Sequence, residues 1–174
     1  MRLRLALALI AAVAACAAPS ADEVVVLDRG ARPSYEGFSS ARGAGAYLAR
    51  RCGSLDCHGQ PGRGMLLYSA TGLRATSRPG QPQPVSGGAP LTADEIRANY
   101  TSVIALEPEV MATVVREGGR APERLMLLRK PLGTERHKGG VVFTDETDPG
   151  WLCLTTWLGG KVDEDQCEQG ARLP

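Results

Sequence analysis

The stretch Cys52-Gly-Ser-Leu-Asp-Cys57-His58-Gly59 places two thiols close together and an imidazole directly after the second. That order of groups suits covalent attachment of haem. The two sulfurs add to the porphyrin vinyl groups, and the adjacent histidine is held under the iron as an axial ligand. The familiar form of such a motif is C-x-x-C-H. Here four residues, Gly53 to Asp56, separate the cysteines. The extra residues can bulge outward without moving either sulfur, although the wider spacing is a weaker signal. Three other readings compete. Cys52 and Cys57 could form a small disulfide with His58 on the surface, they could hold zinc together with His58 and His137, or they could be free thiols. Adjacent Cys57 and His58 make awkward corners of one zinc tetrahedron, because their side chains start out diverging.

The remaining cysteines bear on compartment. Met1 to Arg4 is a short basic stretch, Leu5 to Ala14 is an unbroken apolar run, and Val13-Ala14-Ala15-Cys16 follows. An apolar helix of ten residues rises about 15 Å, half of a bilayer core, so the run is expected to be an export signal and not a membrane span. Small residues before a cysteine resemble the lipobox of bacterial lipoproteins. The resemblance implies cleavage before Cys16, acylation of Cys16, and a mature chain anchored to a membrane of the cell envelope. The alternative is an ordinary signal peptide cut near Ala18 or Ser20. Outside the cytoplasm, paired thiols become disulfides or are captured by a cofactor. Cys153 and Cys167 are then expected to pair, closing a loop of about 15 residues worth roughly 3 kcal/mol.

These groups need elements to hold them. The 174 residues suggest one domain, and 20 Lys+Arg against 19 Asp+Glu argue against a nucleic-acid binder held by a general basic field. With 21 Gly and 12 Pro, much of the chain should be loop, and with only eight aromatics its core is thin. The expected organisation is a signal over residues 1–15, a tether over 16–40 containing the short run Val24 to Leu27, and one domain over 41–174. A helix is predicted from Ala44 to Cys52. Thr92-Ala-Asp-Glu95 is a capping box opening a helix over 92–105, with Ile96, Tyr100, Val103 and Ile104 as its apolar stripe. Pro108 to Val115 should be helical and closed by Gly118-Gly119, and Pro122 to Arg129 helical with Leu125, Leu128 and Met126 inward. Asp148 at N-cap, Pro149 at N1 and Gly159-Gly160 beyond the end delimit a last helix whose buried face carries Trp151, Leu154 and Leu158. The cluster Asp163-Glu164-Asp165 reads as a solvated face. Residues 79–90 read as a Gly/Pro-rich connection. No strand alternation is evident, so the fold class expected is all-α.

A short helix ending in Arg50-Arg51-Cys52, followed by Cys57-His58-Gly59, resembles the start of a mono-haem c-type cytochrome domain. Leu127-Leu-Arg-Lys-Pro-Leu132, His137-Lys-Gly-Gly140 and Asp148-Pro-Gly-Trp151 then follow in an order that resembles cytochrome c-like domains of large exported bacterial proteins. The resemblance spans about residues 42–160. It implies a small helical fold with long loops around a haem. The helix entering the motif would cross the C-terminal helix and pair Gly43 and Tyr47 with Trp151, Leu154 and Leu158.

The sixth iron ligand departs from the commonest pattern, a methionine in a loop well downstream. Met65 lies too close in sequence to His58 to reach the opposite ring face easily. Met111 and Met126 fall in predicted helices, where core packing is the expected role. His137 is the only other histidine, on a loop between Pro131 and Gly139-Gly140. The expectation is therefore one covalent haem c on Cys52 and Cys57 with His58 and His137 as axial ligands. The expected protein is an electron carrier of the cell envelope or periplasm that works with envelope redox partners and touches the membrane through Cys16. The alternatives are a peroxidase-like haem oxidoreductase with an open sixth site and a non-haem lipoprotein stabilised by disulfide or zinc.

Overall fold

A computed structural model describes residues 30–75 and 89–172. Cys16, the export signal, the Val24 to Leu27 run and most of the 79–90 connection lie outside the described residues. Within them the chain is all-α. The helices are α1 (Tyr35–Ser39), α2 (Ala44–Cys52), α3 (Ala93–Ile104), α4 (Pro108–Arg116), a 3-10 turn (Pro122–Arg124), α5 (Met126–Arg129), α6 (Pro149–Leu158) and α7 (Glu164–Arg172).

Local capping chemistry explains most of these boundaries. Thr92 Oγ1 accepts from the Glu95 amide at 3.2 Å, and Glu95 Oε2 accepts from the Thr92 amide at 2.8 Å, which closes both halves of the capping box at the start of α3. Asp148 Oδ1 accepts from the Gly150 amide at 2.7 Å, and Pro149 follows where the missing N–H costs nothing. Gly118 and Gly119, at φ of 67° and 79°, turn the chain out of α4 in the left-handed region that glycine tolerates.

The predicted helix over Pro122 to Arg129 is broken. Leu125 is extended (φ −82°, ψ 132°), which leaves a 3-10 turn and a single α turn on either side of it. The break has a tertiary cause. The Glu107 carboxylate accepts from the Met126 amide and so caps α5 from the start of α4, while Arg129 bridges Glu107 at 2.9 Å and Glu135 at 2.5 Å. Leu125, Leu127 and Leu128 all point into the core, and Met126 does not.

Residues 30–40 belong to the fold, so the expected tether over 16–40 is too long at its C-terminal end. Ser34 caps α1 by accepting from the Gly37 amide at 3.1 Å. Trp157 Nε1 donates to the Ser34 carbonyl at 2.9 Å, and the Tyr100 hydroxyl donates to the Pro33 carbonyl at 2.8 Å. Phe38 is 1% exposed and sits 5.4 Å, centroid to centroid, from both Tyr100 and Trp157. One short helix thus supplies part of the aromatic core that the composition seemed to lack.

Helix α2 packs on both α6 and α7. The expected pairing of Gly43 and Tyr47 with Trp151, Leu154 and Leu158 is only partly correct. Gly43 faces the Gly37 carbonyl of α1, where a Cβ would collide. Tyr47 lies against two glycines, Gly150 of α6 and Gly170 of α7. A Cβ on Gly170 would stand 2.8 Å from the Gly150 amide nitrogen and 3.1 Å from Tyr47 Cε2. The absence of side chains at these positions lets three helices meet. A disulfide between Cys153 and Cys167, with Cα atoms 4.6 Å apart, ties α6 to α7. The acidic run Asp163-Glu164-Asp165 starts α7, and Asp165 and Glu168 pair with Arg42.

The predicted apolar stripe of α3 does face the core, with Val103 and Ile104 buried and Ile96 and Tyr100 packed partly buried against it. The stripe is wider than expected, because Glu95 and Asn99, each 1% exposed, are turned inward as well. Asn99 Oδ1 accepts from the Tyr68 amide at 2.7 Å and its Nδ2 donates to the Tyr68 carbonyl at 2.9 Å. Glu95 takes Arg74 Nε and Nη2, both at 2.8 Å, and the Ala75 amide at 2.9 Å. Buried polar groups are stable only when paired in this way. Through them α3 holds the segment 67–75 that supports the Cys57-His58 loop.

Candidate functional site

Helix α2 ends at Cys52, and Gly53 forms its C-cap. The residues between the cysteines then fold back as a turn. Cys57 and Gly59 amides both donate to the Ser54 carbonyl, at 3.0 and 2.8 Å, and the His58 amide donates to the Cys52 carbonyl at 2.9 Å. The wide spacing is thus absorbed locally, with Leu55 projecting outward at 56% exposed. The Gly53 carbonyl accepts from Ser69 Oγ at 2.5 Å and lies against Gly59 and Gly72, where a Cβ on either would collide with it. Leu67 and Leu73 amides pair with the His58 and Gly59 carbonyls at 2.9 and 2.7 Å. His58 is consequently held by a loop whose own backbone bonds are satisfied.

Cys52, Cys57, His58 and His137 line one cavity of about 440 Å³, within the range of about 300–1,000 Å³ usual for small-molecule and cofactor sites. Met65, Leu106, Met126, Leu127, Pro131 and Val142 supply its apolar wall. Met126, expected to pack the core, is only half-buried and lies on this wall beside Leu127, while Leu125 and Leu128 are buried away from the cavity. Met111 is a core residue at 2% exposed, as expected. Arg63, Lys130, Arg136 and Lys138 line the cavity against the single carboxylate of Asp56.

The two imidazoles face each other across this space. Their centroids are 6.4 Å apart and their planes 17° from parallel. His58 Nδ1 donates to the Met65 carbonyl at 2.8 Å, and His137 Nδ1 donates to the Gly140 carbonyl at 2.7 Å. A carbonyl only accepts, so each Nδ1 carries a proton and each Nε2 is left as the donor atom toward a metal. A backbone acceptor on the far ring nitrogen is the usual support of a metal-ligating histidine. An ion held by two such nitrogens at about 2.0–2.1 Å, each nitrogen about 1.1 Å from its ring centre, requires centroids about 6.3 Å apart. The two rings lie near-parallel, and their separation is compatible with one ion held between the two Nε2 atoms. Burial lowers the His58 pKa, the Met65 carbonyl opposes this, and the charges of His137 and Arg63 add to the lowering. The neutral imidazole, which is the ligating form, is favoured.

Cys52 and Cys57 are not joined to each other. Burial pushes the Cys52 thiol up to about 12, with Arg51 opposing and Cys57 reinforcing. Among the described residues no three His, Cys, Asp or Glu side chains converge as a metal shell, so the two-Cys, two-His zinc arrangement is not formed. No helix among the described residues is long and apolar enough to cross a membrane.

Several parts of this site had no counterpart in the sequence reading. They are the two carbonyls that orient the histidines, the clamp made by Glu95 and Asn99, and Arg63. The only local trace of the last is its place between Gly62 and Gly64, with Gly62 at φ 83°. No protein-family model, no curated protein and no solved structure matches the chain.

Proposed function

We propose that this protein is an exported electron carrier with one covalently bound haem c, tethered to a membrane of the cell envelope through acylated Cys16. The reading is carried by the opposed imidazoles of His58 and His137. Their 6.4 Å separation and carbonyl-bound Nδ1 atoms suit axial ligation, and both motif thiols line the same cavity. Cys52 and Cys57 would each add across a vinyl group, the sulfur bonding to one carbon and the thiol proton passing to the other, so no oxidant is consumed. Once bound, the haem supplies one-electron exchange between Fe(III) and Fe(II). His58 and His137 would hold both axial positions in either state, so the geometry changes little on electron transfer. Met65, Leu106, Met126, Leu127, Pro131 and Val142 would supply the apolar side of the bound group's surroundings. Two nitrogen ligands place the potential below that of a His/Met site in the same pocket. The partners are redox proteins of the envelope.

The test is production with c-type maturation enzymes, a haem-stained denaturing gel, and visible spectra of the wild type and H137A. The expected wild type keeps its stain after denaturation and is low-spin in both oxidation states. H137A should become high-spin and bind carbon monoxide rapidly. A colourless protein, under conditions that mature other c-type cytochromes, overturns the haem reading. A stained H137A with the wild-type spectrum and potential overturns His137 as ligand and leaves Met126, on the same wall, to be exchanged next.

A further inference from the structure

Among the described residues, Arg63 Nε is the only buried side-chain nitrogen or oxygen without a hydrogen-bond partner. It belongs to a side chain that lines the histidine cavity. The guanidinium is held by one bond, from Nη2 to the Asp56 carbonyl at 3.3 Å. Arg63 is only half-buried and its outer nitrogens are exposed, so the unmet donor is Nε alone, at a cost of up to roughly 1–3 kcal/mol. Folding accepts that cost where an acceptor arrives later. An anionic acceptor suits it best, because Arg63 is permanently charged and the only carboxylate on the cavity lining is Asp56, which engages Arg63 through its backbone oxygen alone.

From this we infer that Arg63 is the carboxylate-binding residue of the cavity and that the carboxylate is a haem propionate. The inference rests on the haem reading. The planar fork of a guanidinium matches a carboxylate with two parallel N–H···O bonds. Arg63 is then a positioning and charge-compensating residue. It would hold the propionate, while Cys52 and Cys57 would hold the ring through their sulfurs. It also offsets a negative charge that would otherwise resist the arrival of an electron on the iron. A free anion is the competing source of the same chemistry.

The test compares reduction potentials of the haem-loaded wild type, R63Q and R63K as a function of pH and of added inorganic phosphate. The expected R63Q disfavours the reduced form roughly tenfold, a potential about 59 mV lower. Its potential climbs back toward the wild-type value as the pH falls, because protonation of the freed carboxylate replaces the lost cation. R63K keeps the charge and recovers at least half of the shift. The wild-type potential stays flat with phosphate. An R63Q potential and pH profile identical to wild type overturn the proposal, as does an R63K shift as large as that of R63Q. A saturable phosphate shift in the wild type, absent from R63Q, assigns Arg63 to a free anion and also overturns it. If R63Q does not accumulate, R63K and the wild-type phosphate series decide. Wild-type protein that takes up no haem fails the functional reading instead, and the gel distinguishes that failure from this one.

Discussion

Replacing Glu95 by Gln removes one negative charge and keeps the shape of the side chain. Glu95 and Arg74 are 0% and 5% exposed at their side chains, with Nη2 and Oε2 2.8 Å apart. Burial alone would raise the Glu95 pKa. Arg74 and the Thr92 and Ala75 amides outweigh it and carry it from 4.5 to about 2. That displacement corresponds to about 3 kcal/mol of stability at neutral pH, at about 1.4 kcal/mol per pH unit. It agrees with the roughly 3–5 kcal/mol lost when one partner of a buried pair is removed. The folded value lies below the unfolded one, so this contribution is complete above about pH 5 and is lost as the pH falls toward 2. Urea unfolding of the wild type and E95Q across that range, with the disulfide intact, should show a gap of about 3 kcal/mol at pH 7 that narrows to about 1.4 kcal/mol at pH 3. The Tm difference at neutral pH should be roughly 10 °C. A gap below about 0.5 kcal/mol at pH 7, or one unchanged at pH 3, would refute the argument that this pair anchors the segment under His58.

Two further outcomes follow from packing and covalent structure. G72A forces a methyl group onto the Gly53 carbonyl, which the Ser69 hydroxyl and the Cys57-His58 loop hold in place. It should cost about 2–3 kcal/mol in denaturant unfolding, and a wild-type midpoint would show that the loop yields. The double variant C153A/C167A releases α7 from α6 and should lose about 3 kcal/mol, read as a lower Tm in non-reducing buffer. An unchanged Tm would mean that the packing of Tyr47 on Gly150 and Gly170 suffices.

Elements bounded by chemistry within a few residues were legible without the fold. Thr92 with Glu95, Asp148 with Pro149, and Gly118-Gly119 mark their helix ends in the sequence because a cap bonds to amides two or three positions away. Helix α1 was not legible, because five residues carry too little periodicity to show a buried face. Its place depends on Trp157 and Tyr100 reaching back to Ser34 and Pro33. The break at Leu125 was hidden for a similar reason, since the carboxylate that caps Met126 comes from Glu107, in the residue preceding α4.

The site divides along the same line. The types and order of Cys52, Cys57 and His58, the supply of one further imidazole at His137, and the Cys153 and Cys167 pair are properties of the chain, because they depend on which atoms it owns. The fold alone determined that Nε2 is the free nitrogen of each imidazole, since the acceptors are the Met65 and Gly140 carbonyls and every residue carries a carbonyl. It also determined that Glu95 and Asn99 point inward, because a buried polar side chain is stable only once distant partners, Arg74 and Tyr68, have been brought to it.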